Sequence, residues 1–259
     1  MVIGMVATKT KKEIEIMREG GKILAEILEQ LAAAVRPEIS TFDLEKLARG
    51  LVSFYKVKPS FLGYQGFPAA ICVSVNDEVV HGVPSATRIL KKGDIVSLDI
   101  GILYKDFNVD SAVTVPVLGE LSYDEWAKTN PKLARLIETA KAALNAGIEQ
   151  AKVGNCLGRI SNTIQNVVEK RGFNVIREMV GHGIGRQLHE EPQIPNFGRP
   201  EGGPILEEGM TIAIEHMVSA GDWHLIRDGL TYKTKDGSWS AHFEHTVAVT
   251  KNGPLILTE

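Results

Sequence analysis

Four acids in this chain sit in stretches that read as β-strands: Asp99 in SLDIG, Asp110 in VDSA, Glu215 in TIAIEHM and Glu244 in SAHFEHT. Asp and Glu are depleted from strands, and burying a lone carboxylate costs several kcal/mol or forces it to take up a proton. The acids come in matched pairs. ILKKGDIVSLDIG (89–101) resembles ILEEGMTIAIEHM (205–217), which aligns Asp99 with Glu215, and DSAVTV (110–115) resembles EHTVAV (244–249), which aligns Asp110 with Glu244. If the halves pack about a pseudo-twofold axis, the equivalent acids meet there. Four converging carboxylates repel one another unless cations lie between them, so bound divalent metal is the economical answer. An oxygen-rich donor set without thiolates is no structural zinc site; with one or two imidazoles it suits Mn, Fe, Co or Zn.

The imidazoles are sought in GHGIGRQLHEEP (181–192). His182 lies between Gly181 and Gly183, small neighbours that let the backbone approach a ligand closely, and is the best nitrogen donor. His189 is seven residues on, so in one continuous strand the two would face opposite ways. A turn must intervene if both serve one site, and Gly185 could supply it. The glycine spacing is not G-x-G-x-x-G, and HEEP is not H-E-x-x-H. His81, in NDEVVHGVP, gains weight only from this constellation, because an isolated histidine is more often a satisfied loop residue. His216, His224, His242 and His245 are read as structural or as lying behind the ligands.

The elements that must carry these residues follow from periodicity. Apolar or small residues at Met17, Gly21, Leu24, Leu28, Leu31 and Val35 mark one face of a helix that Arg36-Pro37 stops. Ser40 and Asp43 fit a capping box for a second helix, with its stripe at Leu44, Leu47, Ala48, Leu51, Val52 and Tyr55. Residues 70–82 and 94–115 read as strands and hairpins. Helix returns at Asn130-Pro131, an expected N-cap and first position, and another runs near Leu157–Arg171 and ends at Gly172. Helix, helix, strands thus occurs twice, about 11–120 and 130–255, without a Ser- or Pro-rich linker. The expectation is a single domain spanning 1–259.

Composition excludes much else. The 259 residues are 44% hydrophobic and 24% charged, as in an ordinary globular protein with a sizeable core. Lys+Arg 29 against Asp+Glu 32 gives −3, so no global positive field draws nucleic acid or anionic lipid. Cys72 and Cys156 are too few for a disulfide framework and too far apart for a Cys-x-x-Cys site, which points to a reducing cytosol. From Met1 to Lys12 a short apolar stretch precedes the lysines, the reverse of a signal peptide, and no apolar run approaches 18 residues, so neither export nor membrane spanning is expected.

In these segments, NDEVVHGVP, SLDIG, VDSA, GHGIGRQLHEEP, TIAIEHM and SAHFEHT, in that order over nearly the whole chain, the sequence resembles the type I methionine aminopeptidases. These are pita-bread metallopeptidases, a group that also includes the proline dipeptidases. The resemblance implies an α+β pita-bread fold, two pseudo-symmetric helix-helix-strand halves around an antiparallel sheet. It implies two divalent ions (Co, Mn, Fe, Zn or Ni) on Asp99, Asp110, His182, Glu215 and Glu244, with Asp110 and Glu244 shared between them. It implies that His81, His189 and Glu215 are catalytic, with His81 and His189 touching substrate. The methionine pocket maps onto Phe61, Tyr64, Phe67, Cys72, Leu188 and Leu230, where Phe61 replaces a frequent cysteine, Leu188 a frequent phenylalanine and Leu230 a frequent tryptophan. His216 replaces the usual proline after the Glu215 ligand, with an expected effect on hydrogen bonding around the metal. A monovalent cation on backbone carbonyls near Asn76 and Ser240 is a further expectation.

The implied activity is removal of the amino-terminal methionine from nascent chains by metal-assisted hydrolysis, with preference for a small second residue. A cytoplasmic monomer in transient contact with the ribosome is expected, with no membrane or specific nucleic-acid partner. One rival is an Xaa-Pro dipeptidase, opposed by the missing additional amino-terminal domain and by NDEVVHGVP. The other is a non-catalytic ribosome- or RNA-binding relative, opposed by the full set of five ligands.

Overall fold

A computed structural model describes residues 6–259. The expectations that rest on residues 1–5, about an export signal and a domain beginning at Met1, lie outside the described residues. The chain opens with α1 (Lys11–Ala34) and α2 (Thr41–Phe54), followed by β1 (Lys58–Pro59), β2 (Cys72–Val75), β3 (Glu78–Val80), β4 (Ile95–Tyr104) and β5 (Phe107–Pro116). Then come α3 (Tyr123–Thr129), α4 (Pro131–Ile148), α5 (Gly158–Lys170), β6 (Asn174–Val175), β7 (Val180–Gly183), β8 (Glu190–Pro195) and β9 (Thr211–Ser219). The last four strands are β10 (Leu225–Asp228), β11 (Thr231–Thr234), β12 (Ser240–Thr250) and β13 (Gly253–Ile256). The helix-helix-strand order thus occurs twice.

Helix starts follow local chemistry. The Ser40 hydroxyl accepts from Asp43 N–H while the Asp43 carboxylate accepts from Ser40 N–H, the reciprocal cap read from the sequence. The expected Asn130 cap is corrected. Asn130 occupies the position, but its side-chain amide donates backwards to the Trp126 carbonyl at 3.1 Å, because a short helix, α3, ends there. That helix, capped by Ser122 and Glu125, has no counterpart in the first half.

The strands form a ten-stranded sheet whose main path is β1-β4-β5-β12-β9-β7-β8, with every pairing antiparallel. A small sheet, β10-β11-β3, lies apart. The halves meet at β5–β12, in the middle of the path. There the main-chain ladder is opened by threonine hydroxyls: Thr246 Oγ1 accepts from Asp110 N and donates to Asp110 O, and Thr114 Oγ1 does the same for His242. One face of the sheet is covered by helices. α1 packs against β4 and β5, and α4 against β9 and β12. Val96, Leu98, Ile100 and Ile102, alternate residues of β4, belong to the core under α1, while Ile212, Ile214, Phe243 and Val247 belong to the core under α4. Alternation along each strand then sends the intervening residues, Asp99, Glu215 and Glu244 among them, to the opposite face.

Candidate metal centre and its cavity

Register brings the acids together. Glu215 on β9 pairs with Glu244 on β12, Glu244 with Ala112 on β5, and Ala112 with Asp99 on β4, so one row crosses four strands. Asp110 is two residues from Ala112 and points the same way. The sequence repeat differs here from the ladder: Glu215 directly opposes Glu244, whereas Asp99 opposes Ala112 and Asp110 opposes Gly101. A shift of two residues keeps the side chains on the same face, so convergence survives. On β7, His182 pairs with Ala213, two residues from Glu215.

Gly181 and Gly183 beside His182 serve strand packing rather than ligand approach, which corrects the sequence reading. A Cβ on Gly181 would lie 2.5 Å from the Ala213 carbonyl oxygen, and one on Gly183 would lie too close to that of Glu191. The turn required between His182 and His189 is present across 184–189, and it sets the two rings 4.3 Å apart between centroids.

Asp110, His182 and Glu244 each present a ligand atom, all within 4.8 Å of one another and all buried. His182 Nε2 is 3.6 Å from Glu215 Oε1, and His182 Nδ1 lies 2.8 Å from the Gly183 carbonyl. A carbonyl only accepts, so Nδ1 carries the proton and the Nε2 lone pair faces the acids. Asp99 Oδ1 and Glu244 Oε1 are buried without a hydrogen-bond partner among the described residues. Burial, then the Glu215 charge, pushes Asp110 up to about 8. Burial, then Asp110 and Glu215, raises Asp99 well above the usual carboxylate range, and burial with the same two neighbours and Asp99 raises Glu244 likewise. Glu215 differs. Burial pushes it up, but the imidazoles of His242, His182 and His81 outweigh burial and hold it below its ordinary value. Orphaned buried oxygens, mutual repulsion and an aimed imidazole fit divalent cation binding.

These donors line a cavity of about 270 Å³ that also takes in His81, His189, Phe61, Tyr64, Phe67, Cys72, Leu188 and Leu230. Every metal, catalytic and methionine-pocket residue expected from the sequence therefore lines one cavity. Burial, then His182, lowers His189 to about 4, and its Nδ1 lies 3.0 Å from the Tyr64 hydroxyl. Burial chiefly lowers His81, whose ring stands edge-on to Tyr232 with centroids 5.7 Å apart. Gln65, Val80, Arg227 and Tyr232 line the same cavity and carry no sequence signal of their own. His242 does have one: it is two residues before Glu244 on β12, hence on the same face, and its Nε2 comes within 3.4 Å of Glu215 Oε2. His216 is instead on the helix side, fully buried, with Nε2 2.8 Å from the Ala140 carbonyl. It touches α4 rather than the ligand carboxylates. Asn76 and Ser240 are neighbours, with Ser240 N–H donating to the Asn76 carbonyl at 2.8 Å.

The paired acids at the junction of two like halves form a candidate divalent-metal site, and the model for metallopeptidase family M24 matches residues 15–251. The chain belongs to that family and uses divalent metal. Within the family its similarity is to methionine aminopeptidases. That of Clostridium acetobutylicum is 45% identical over 256 residues, 98% of this chain and 99% of the relative. The crystal structure of the Thermotoga maritima methionine aminopeptidase superposes with a TM-score of 0.92 at 45% identity, covering 98% of this chain and 100% of the other. The prolidase from Pyrococcus furiosus shares the fold, with a TM-score of 0.76 at 22% identity over 97% of this chain and 65% of that one. Among the described residues no helix is long and apolar enough to cross a membrane.

Proposed function

We propose that this chain removes the amino-terminal methionine from peptides and nascent proteins, favouring a small second residue, with two divalent ions held by Asp99, Asp110, His182, Glu215 and Glu244. What carries the reading is one cavity lined both by this donor set and by apolar side chains. Its volume of about 270 Å³ is at the lower edge of ligand pockets, which suits one terminal residue better than a stretch of peptide. When bound, the ions supply Lewis-acid charge that polarises the scissile carbonyl and brings the pKa of water from about 15.7 toward neutrality.

The chain's own groups do the rest. Glu215, held ionised beside three imidazoles, takes the proton of the attacking water and returns it to the leaving amine. His189 is kept neutral, and with the Tyr64 hydroxyl donating to Nδ1 its Nε2–H points to the developing oxyanion. His81 serves the leaving nitrogen or the scissile amide. Phe61, Tyr64, Phe67, Cys72, Leu188 and Leu230 enclose the methionine side chain. Because one methylene in an apolar pocket discriminates by only about 1–3 kcal/mol, preference for Met over Leu is finite. On this reading residues 1–259 act as one catalytic domain, a cytoplasmic monomer that meets chains at the ribosome, with the Asn76 and Ser240 carbonyls offered to a monovalent cation.

The test is turnover of Met-Ala-Ser against Ala-Pro by metal-stripped protein reloaded with Mn, Fe, Co or Zn. Met-Ala-Ser is cleaved, Ala-Pro is not, and Asp110→Ala loses turnover and metal uptake together. Preference for Ala-Pro, or full turnover by Asp110→Ala, overturns the reading.

A further inference from the structure

A part-buried ion pair lies behind His189, outside the donor set. The segment before α1 runs beside the start of β9: Thr8 bridges to Met210, and Lys9 N–H donates to the Gly209 carbonyl at 2.7 Å. From there the Lys9 side chain turns inward until only 6% is exposed, and Nζ donates to Glu190 Oε2 at 2.5 Å. The other carboxylate oxygen, Glu190 Oε1, accepts from Gln187 N–H at 3.0 Å, closing the turn that carries His189. Gly185 leaves room for this lysine, since a Cβ there would come too close to Lys9 Cε. Asn108 grips the same turn from β5 through the carbonyls of Gly185 and Arg186.

We propose that Lys9 and Glu190 are positioning residues that hold the His189 imidazole at its working angle in the cavity. The role rests on the aminopeptidase reading. Glu190 meets Lys9 while His189, next to it in the chain, lines the cavity. The pair thus fixes from behind the peptide unit that His189 extends from in front. Without Lys9, the part-buried Glu190 carboxylate is left without its counter-charge and moves toward water, and the turn moves with it. A displacement of about 1 Å at a catalytic group costs on the order of a hundredfold in rate.

The experiment uses metal-loaded enzyme and Met-Ala-Ser. In Lys9→Met and in Glu190→Gln, kcat falls by about 10- to 100-fold with KM and bound metal at wild-type values, and Lys9→Arg restores most of it. In a His189→Ala background, Lys9→Met causes no further loss. An equal fold-loss in that background, loss of metal along with kcat, or wild-type kcat in both single variants overturns the proposal. Glu190→Gln, neutral and isosteric, stands in if Lys9→Met does not fold. Wild-type protein inert toward Met-Ala-Ser would refute the aminopeptidase reading instead. The positioning claim is then decided by the ¹⁵N resonances of the His189 ring, which shift in Glu190→Gln if it is right and stay in place if it is wrong.

Discussion

Stripping the metal converts the carboxylate cluster into a pH-dependent liability whose size follows from its geometry. Asp110 titrates near 8 in the fold against 3.8 when unperturbed. Between those values the folded chain keeps a proton that the unfolded chain has released, so stability is present at low pH and is lost as pH rises toward 8. Three histidines whose charged form desolvation disfavours, only His216 of them fully buried, act in the opposite sense lower down. His189, His216 and His245 titrate near 4 in the fold against 6.5 when unperturbed, so raising the pH from 4 to 6.5 stabilises the fold. Above 6.5 their contribution is constant and the acids stand alone. Over the remaining 1.5 pH units, at about 1.36 kcal/mol per unit, Asp110 costs about 2 kcal/mol. Asp99 and Glu244, also raised, make the loss larger. Below pH 6.5 the raised acids and the lowered histidines offset one another, so urea unfolding of EDTA-treated protein from pH 5 to 8.5 will show its fall in stability above pH 6.5. Asp110→Asn reduces the fall, and saturating Mn²⁺ abolishes it because metal binds the deprotonated acids. A metal-free protein whose stability is flat or rising from pH 6.5 to 8 would refute the crowding argument.

Two further outcomes follow from the site. His189→Ala will lower kcat on Met-Ala-Ser by about 10²- to 10³-fold with KM and metal content little changed, as loss of an oxyanion donor requires; an effect confined to KM would remove that role. Gly185→Ala drives a methyl against the ends of the Lys9 and Glu190 side chains, and thermal or urea unfolding should show a loss of about 1–3 kcal/mol; unchanged stability would show that the pair is not rigidly held.

The four acids were legible because they recur in matched pairs in the sequence, and a matched pair of acids in strands has few structural explanations. The helix pairs were legible from periodicity and from the Ser40–Asp43 cap. What escaped did so for physical reasons. Helix α3 is a single capped segment of seven residues, too short for an apolar stripe. The Asn130 side chain had both carbonyl and amide partners within reach, and only the structure decides between them. Register offset by two residues is invisible to an alignment that compares strands with their equivalents rather than their partners. Arg227 and Tyr232 reach the cavity from the small sheet, whose place over the larger one no local pattern encodes. Lys9 and Glu190 are 181 positions apart, and one of several lysines clustered before a helix reads as solvent-facing.

The junction of β5 with β12 has a consequence for how this chain can be divided. Asp99 and Asp110 come from one side of it and His182, Glu215 and Glu244 from the other, so neither fragment carries an ion-binding constellation by itself. Cut in the loop after β5, the two pieces would be inert apart, and regained hydrolysis on mixing would report their reunion across the threonine-stitched seam.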